Sequence, residues 1–143
     1  MNAVVLDDRL LIHELLVGMK AGRVALHTTT YWYYRACRAA VAGAGGHLSG
    51  PFAELTRDRQ ELAILTLLTL REDIGLPDPR QTVPVMAAIA RRHPQLNLLS
   101  LEAAAAGKCL NAAIWLSAES ARGVLPAVLD AESIRWRRVD VVS

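Results

Sequence analysis

Apolar residues along this chain switch repeatedly between two periods. Val4, Val5 and Leu6 form a short continuous apolar run, whereas Leu11, Leu15, Gly18 and Met19 recur at helical spacing. This pattern predicts a strand over 4–6 and a helix over 10–19, with the change of period at Asp7-Asp8. Residues 24–27 form a second strand candidate, and Thr28, Thr29 and Thr30 offer hydroxyl caps to a helix running to about residue 42. Gly43, Gly45, Gly46 and Gly50, followed by Pro51, break that helix. Residues 52–70 read as one helix, with Leu55, Leu62, Leu65 and Leu68 as part of a core-packing stripe. An extended piece over 74–76 is closed by Pro77 and Pro79, a helix over 83–93 stops at Pro94, and Ser100 opens an alanine-rich helix that continues to about residue 111. A strand over 113–116, a helix from 119 to about 129 and a strand over 134–139 complete the series. Strands alternating with helices specify an α/β fold built on a mainly parallel sheet.

Composition narrows the class. The 143 residues suit one domain spanning 1–143, and 52% apolar residues with a mean hydropathy of +0.23 supply its core. No apolar run reaches the roughly 18 residues of a membrane span, and the acidic start lacks the basic region of a secretory signal. A cytoplasmic protein that engages no membrane is expected. Cys37 and Cys109 stand in neither a CxxC pair nor a histidine-flanked cluster, which points to small buried hydrophobes rather than zinc or redox chemistry. His13, His27, His47 and His93 contain no HExxH pair. The glycine-rich stretch is no phosphate loop, because His47 and Leu48 follow Gly46 where a lysine and a hydroxyl residue are required. Ser117 and Ser120 have no local base, so a hydrolase triad is not supported.

Three carboxylates occupy comparable places: Asp7 after the first strand, Glu102 in the first turn of the helix opened by Ser100, and Glu119 just beyond the strand over 113–116. Asp7 is either a helix N-cap or a ligand at the functional edge of the sheet. If the strands ending at Asp7 and Leu116 are neighbours, Asp7 and Glu119 share one rim, and the helix opened by Ser100 delivers Glu102 beside them. Such an oxygen-rich cluster suits magnesium or manganese, with Asp8 as a candidate further ligand. A metal held there generates hydroxide and stabilises a phosphodiester transition state.

Tyr31, Trp32, Tyr33 and Tyr34 cannot all face inward at 3.6 residues per turn. Three readings follow: Trp32 and Tyr33 cover the core while the others lie at the surface, the helix carries a partner or homodimer interface, or the rings stack on RNA bases. Tyr31, Tyr34, Arg35 and Arg38 are the candidate RNA or partner surface. The arginines Arg91-Arg92 and Arg135 with Arg137-Arg138 suit phosphate, but a net charge of +2 does not decide for nucleic acid.

The blocks VVLDDRLLIHELL and LSLEAAAAGKCLNAAIWLSAES, at the two ends of the chain, resemble the PIN-domain family, in particular the toxin ribonucleases of bacterial toxin–antitoxin pairs. Asp7 stands in the place of that family's first aspartate, Glu102 and Glu119 stand where aspartates are usual, and Ser117 replaces the threonine of a Thr-x-Asp element. The resemblance implies a three-layer fold, a central mainly parallel sheet flanked by helices. It also implies a metal-dependent endoribonuclease in which Asp7, Glu102 and Glu119 hold Mg or Mn, with RNA as substrate and an antitoxin as partner. The family's glutamate on the helix after the second strand falls near Tyr33 or Tyr34, and no acid stands there. The alternative is therefore a catalytically degenerate PIN-like protein that binds RNA or a protein.

Overall fold

The computed structural model describes residues 2–42 and 56–141. Its strands are β1 (Asn2–Leu6), β2 (Val24–His27), β3 (Ala113–Leu116) and β4 (Trp136–Arg138). Its helices are α1 (Asp8–Leu16), α2 (Thr30–Ala42), α3 (Arg57–Leu68), α4 (Pro79–Arg92), α5 (Leu98–Leu110) and α6 (Leu125–Ala131), with a 3-10 turn at Ser120–Arg122. The four strands form one parallel sheet in the order β2-β1-β3-β4. Among the described residues no helix is long and apolar enough to cross a membrane.

Strand alternation builds the three layers. Val4 and Leu6 of β1 and Trp115 of β3 face one side of the sheet, where they pack with Leu10, Leu11 and Ile12 of α1, Ala36 and Ala40 of α2, and Ala63 and Leu67 of α3. Val5, Ile114 and Leu116 face the other side and pack with α5 and α6. Ala103 to Ala106 are buried, and a Cβ on Gly107 would stand 2.9 Å from both Ile114 and Ile134, so this small-residue run lets α5 lie close to the sheet. Trp32 leaves its own helix face to join the α5 side and is fully buried. Trp32 and Tyr33 thus cover the core, while Tyr31 and Tyr34 remain exposed.

Several boundaries differ from expectation, each for a local reason. α1 ends at Leu16 rather than Met19, because Gly18 takes a positive φ of 93° that releases the chain. α4 starts at Pro79, not 83: Asp78 caps it by accepting from the Arg80 N–H at 2.9 Å, and proline at the first helical position needs no N–H partner. α5 starts before Ser100, since the Asn97 side chain accepts from the Ser100 N–H at 2.9 Å. Glu102, expected in the first turn, accordingly lies beyond it. The helix expected over 119–129 divides at Gly123 into the 3-10 turn and α6. The last strand is limited to Trp136–Arg138. The extended piece near 75 makes a single parallel bridge with His27, where any Cβ on Gly75 would collide with the imidazole.

The largest correction concerns α3. Its buried positions are Ala63 and Leu67, so Leu62, Leu65 and Leu68 face out, with Leu62 64% and Leu65 62% exposed. A helix presents only one such arc to its neighbours, and the i, i+4 pair Ala63 and Leu67 took it. The glycine-rich connection and residues 52–55 of the expected helix, Leu55 included, lie outside the described residues.

Candidate functional site at the carboxyl edge of the sheet

The chain passes from β1 through α1 to β2 on one side, while β3 lies on the other side of β1. In open α/β sheets the crevice at such a switch point, outside the carboxyl ends of the strands, is where ligands bind. The residues that follow these two central strands are Asp7 and Ser117.

Asp7 is fully buried. Its Oδ1 accepts from the Leu10 N–H at 3.0 Å, and its Oδ2 accepts from the Ser117 N–H at 2.7 Å and the Ser117 hydroxyl at 2.6 Å. Of the two roles posed by the sequence, Asp7 fills that of helix N-cap, and its second oxygen holds Ser117. Asp8, the first residue of α1, is also buried. Its Oδ1 accepts from the Arg9 N–H at 3.0 Å and its Oδ2 lies 3.1 Å from Nε of Arg35. Burial raises the Asp8 pKa above the ordinary carboxylate value, and the neighbouring charge of Asp7 adds to it; Arg35 and the Arg9 N–H act in the opposite direction.

Glu102 reaches across from α5 to the start of α2. Its Oε1 accepts from the Tyr31 N–H at 2.8 Å and its Oε2 from the Thr30 N–H at 3.1 Å, while Thr29 Oγ1 accepts from the Trp32 N–H at 3.1 Å. A carboxylate at the positive end of a helix, with two orphan N–H groups to receive, is doubly favourable. Glu119, exposed beside the 3-10 turn, forms an ion pair with Arg9. Trp32, Arg35, Ser100, Glu119 and Ser120 line a shallow cleft of about 230 Å³ next to these pairs.

The sequence reading named these acids but missed what holds them. Arg9 was not singled out, and Arg35 was read only as surface. The available signal was the acidic pair itself, since buried adjacent carboxylates need cations or N–H donors within reach. Of the remaining candidates, Tyr31, Tyr34 and Arg38 are exposed; Tyr34, Arg38 and Val41 border an apolar hollow of about 370 Å³. Arg137 stacks over the Trp115 ring at 4.2 Å, and Arg92 is paired with Glu132.

These residues can be tested against the divalent ion that the family resemblance implies. Among the described residues, no group of three or more His, Cys, Asp or Glu side chains is arranged to hold a metal. Both oxygens of Asp7, Asp8 and Glu102 already accept hydrogen bonds or ion pairs from the chain. A hydrogen bond to a charged group contributes about 1.5–3 kcal/mol, and an arriving ion would have to displace several. The residues do not fit the ion.

A solved structure shares this fold. A chain of VapBC-1 from nontypeable Haemophilus influenzae superposes with a TM-score of 0.54 over 95% of this chain and 97% of that one, at 15% sequence identity. The likeness is one of fold, and together with the parallel sheet and its two helical layers it gives this chain a PIN-like α/β architecture. No protein-family model matches the sequence, and no curated protein matches it either.

Proposed function

We propose that this protein is a catalytically silent PIN-like member of a toxin–antitoxin-type pair, and that it works by holding a protein partner rather than by cutting RNA. The observation that carries the reading is the internal pairing of the acidic edge: Asp7 with Ser117 and the start of α1, Asp8 with Arg35, Glu102 with the start of α2, and Glu119 with Arg9. The fold shared with VapBC-1 supports the type of pair, and the antitoxin would be the partner. The exposed leucines of α3, which no other described element covers, supply an apolar face for it.

One observation favours a second reading. Asp7 and Glu119 follow the two central strands and Glu102 meets the start of α2, an arrangement that supports a metal-dependent endoribonuclease. The two readings separate in one experiment. The purified chain is incubated with structured and unstructured RNA in magnesium or manganese, with and without a chelator, and the product of the adjacent reading frame is co-expressed with it. Stable co-purification without cleavage is expected. Chelator-sensitive cleavage, abolished by Asp7→Asn in a folded variant, would establish the nuclease instead.

A further inference from the structure

We infer that Arg9 and Arg35 are built-in counter-ions that take the place of a divalent cation and keep the acidic edge closed to one. The inference rests on the silent-edge reading and extends it to a cause. Asp7, Asp8, Glu102 and Glu119 each stand just after a strand or against a helix start, and their partners divide into two kinds. Asp7 and Glu102 are satisfied by neutral donors: the N–H groups at the starts of α1 and α2 and the two donors of Ser117. These contacts also fix secondary structure, so they are part of the fold. Asp8 and Glu119 are instead held by guanidinium groups, Arg35 from α2 and Arg9 from α1.

The burial of Asp8 is what sets its pair with Arg35 apart from an ordinary surface pair, whereas Arg9 meets Glu119 at the solvent-exposed rim. Asp8 is buried and adjacent to Asp7, whose charge disfavours its ionised form, so a cation placed against Asp8 relieves repulsion between two buried acids. Arg35 is that cation, and its side chain is still 47% exposed along the cleft that Glu119 also borders. Arg9, one residue after Asp8, reaches Glu119, the carboxylate that lines the cleft. A hard divalent ion bound between Asp8 and Glu119 would meet two fixed positive charges and would have to displace both. Arginine remains charged throughout the accessible pH range, so raising the pH does not lift the block.

Manganese titration monitored by electron paramagnetic resonance tests this directly, on wild type, Arg9→Gln, Arg35→Gln, the double variant and the charge-keeping Arg35→Lys. Wild type and Arg35→Lys are expected to show only weak, non-saturating association. Removing one fixed charge a few ångströms from the carboxylates is expected to tighten manganese binding about tenfold or more, and the double variant further. Saturable stoichiometric binding by wild type would overturn the inference. So would a folded Arg9→Gln or Arg35→Gln that gains nothing, and each single variant serves if the double variant does not fold. Failure here is separable from failure of the proposed function: manganese bound by wild type without RNA cleavage removes only the counter-ion role, whereas cleavage in chelator removes only the silent edge.

Discussion

Oδ2 of Asp7 accepts both hydrogen bonds that Ser117 can give, from its backbone N–H at 2.7 Å and its hydroxyl at 2.6 Å. The two residues are 110 positions apart in sequence and follow the two central strands, so this one oxygen ties the carboxyl ends of β1 and β3 together. Oδ1 meanwhile starts α1. Strand exit, helix entry and strand pairing therefore converge on one buried carboxylate. That demand on Asp7 is structural, whatever else the edge does.

Ser117→Ala should destabilise the protein by about 2 kcal/mol, the value of one charge-assisted hydrogen bond, and lower the melting temperature by about 6 °C for a chain of this length. Asp7→Asn should cost more, about 3 kcal/mol. An asparagine amide must point its NH2 either at the Leu10 N–H or at Ser117; the Ser117 hydroxyl can turn to accept, but neither backbone N–H can. Thermal unfolding with far-ultraviolet circular dichroism checks both, and an Asp7→Asn protein as stable as wild type would contradict the geometry.

The order of elements was legible because each strand and helix carried its own period. Residues 4–6, 24–27 and 113–116 are short, largely apolar runs followed at once by Asp7, Thr28 and Ser117, and all three are strands. Helix starts were legible only where the cap was unambiguous. Asn97 outcompeted Ser100 because its side chain reaches the N–H three residues on, a choice that composition does not reveal. Which arc of α3 faces inward was not legible, since leucine at 62, 65 and 68 forms as good a stripe as Ala63 with Leu67, and tertiary packing decided for the smaller residues. At the site, the acids could be read from position along the chain, whereas the pairings Asp8 with Arg35 and Glu102 with α2 depend on which elements become neighbours.

Glu102→Gln should loosen the start of α2 more than it lowers global stability. The glutamine oxygen can accept only on one side, so either the Thr30 or the Tyr31 N–H loses its partner. Amide hydrogen exchange at Thr30 and Tyr31 is expected to accelerate, while Leu10 and Leu11, held by Asp7 and buried under the sheet, keep their protection. Equal acceleration in both helices would show that Glu102 acts on the whole fold and not on this helix start.

Glu132 predicts an acid-sensitive stability at the opposite end of α5. Its carboxylate meets Arg92 Nη2 at 2.7 Å, Lys108 Nζ at 2.6 Å and His93 Nε2 at 2.8 Å, and only 6% of the side chain is exposed. The hydrogen bond from Arg92, followed by that from Lys108, holds its pKa far below the unfolded value of 4.5. A depressed carboxylate pKa contributes stability that is fully present above the unfolded pKa and is lost as pH falls below it. Melting temperatures of wild type and Glu132→Gln should therefore differ above pH 5 and converge as the pH is lowered below 4. A constant gap across that range would exclude the linkage.

Leu62 and Leu65 separate partner binding from stability. Both side chains are mostly exposed, and Leu62, with Arg59, Thr66 and Val17, borders a hollow of about 330 Å³ between α3 and the end of α1. Glutamate at either position removes no buried contact, so the change in unfolding free energy should stay within about 0.5 kcal/mol. Leu67→Ala, by contrast, empties a fully buried position in the same helix and should cost about 2–5 kcal/mol. If this face seats the partner, Leu62→Glu and Leu65→Glu should abolish co-purification while leaving the melting temperature unchanged, because a carboxylate in an apolar interface loses its hydration without gaining a counter-charge. Size-exclusion chromatography of the chain alone decides who occupies the face: a monomer in wild type and variants points to a different protein, whereas a wild-type dimer that dissociates in Leu62→Glu assigns the leucines to a second copy. Tyr31→Ala and Tyr34→Ala serve as the comparison on α2, and a loss of assembly confined to them would move the interface from α3 to the aromatic helix.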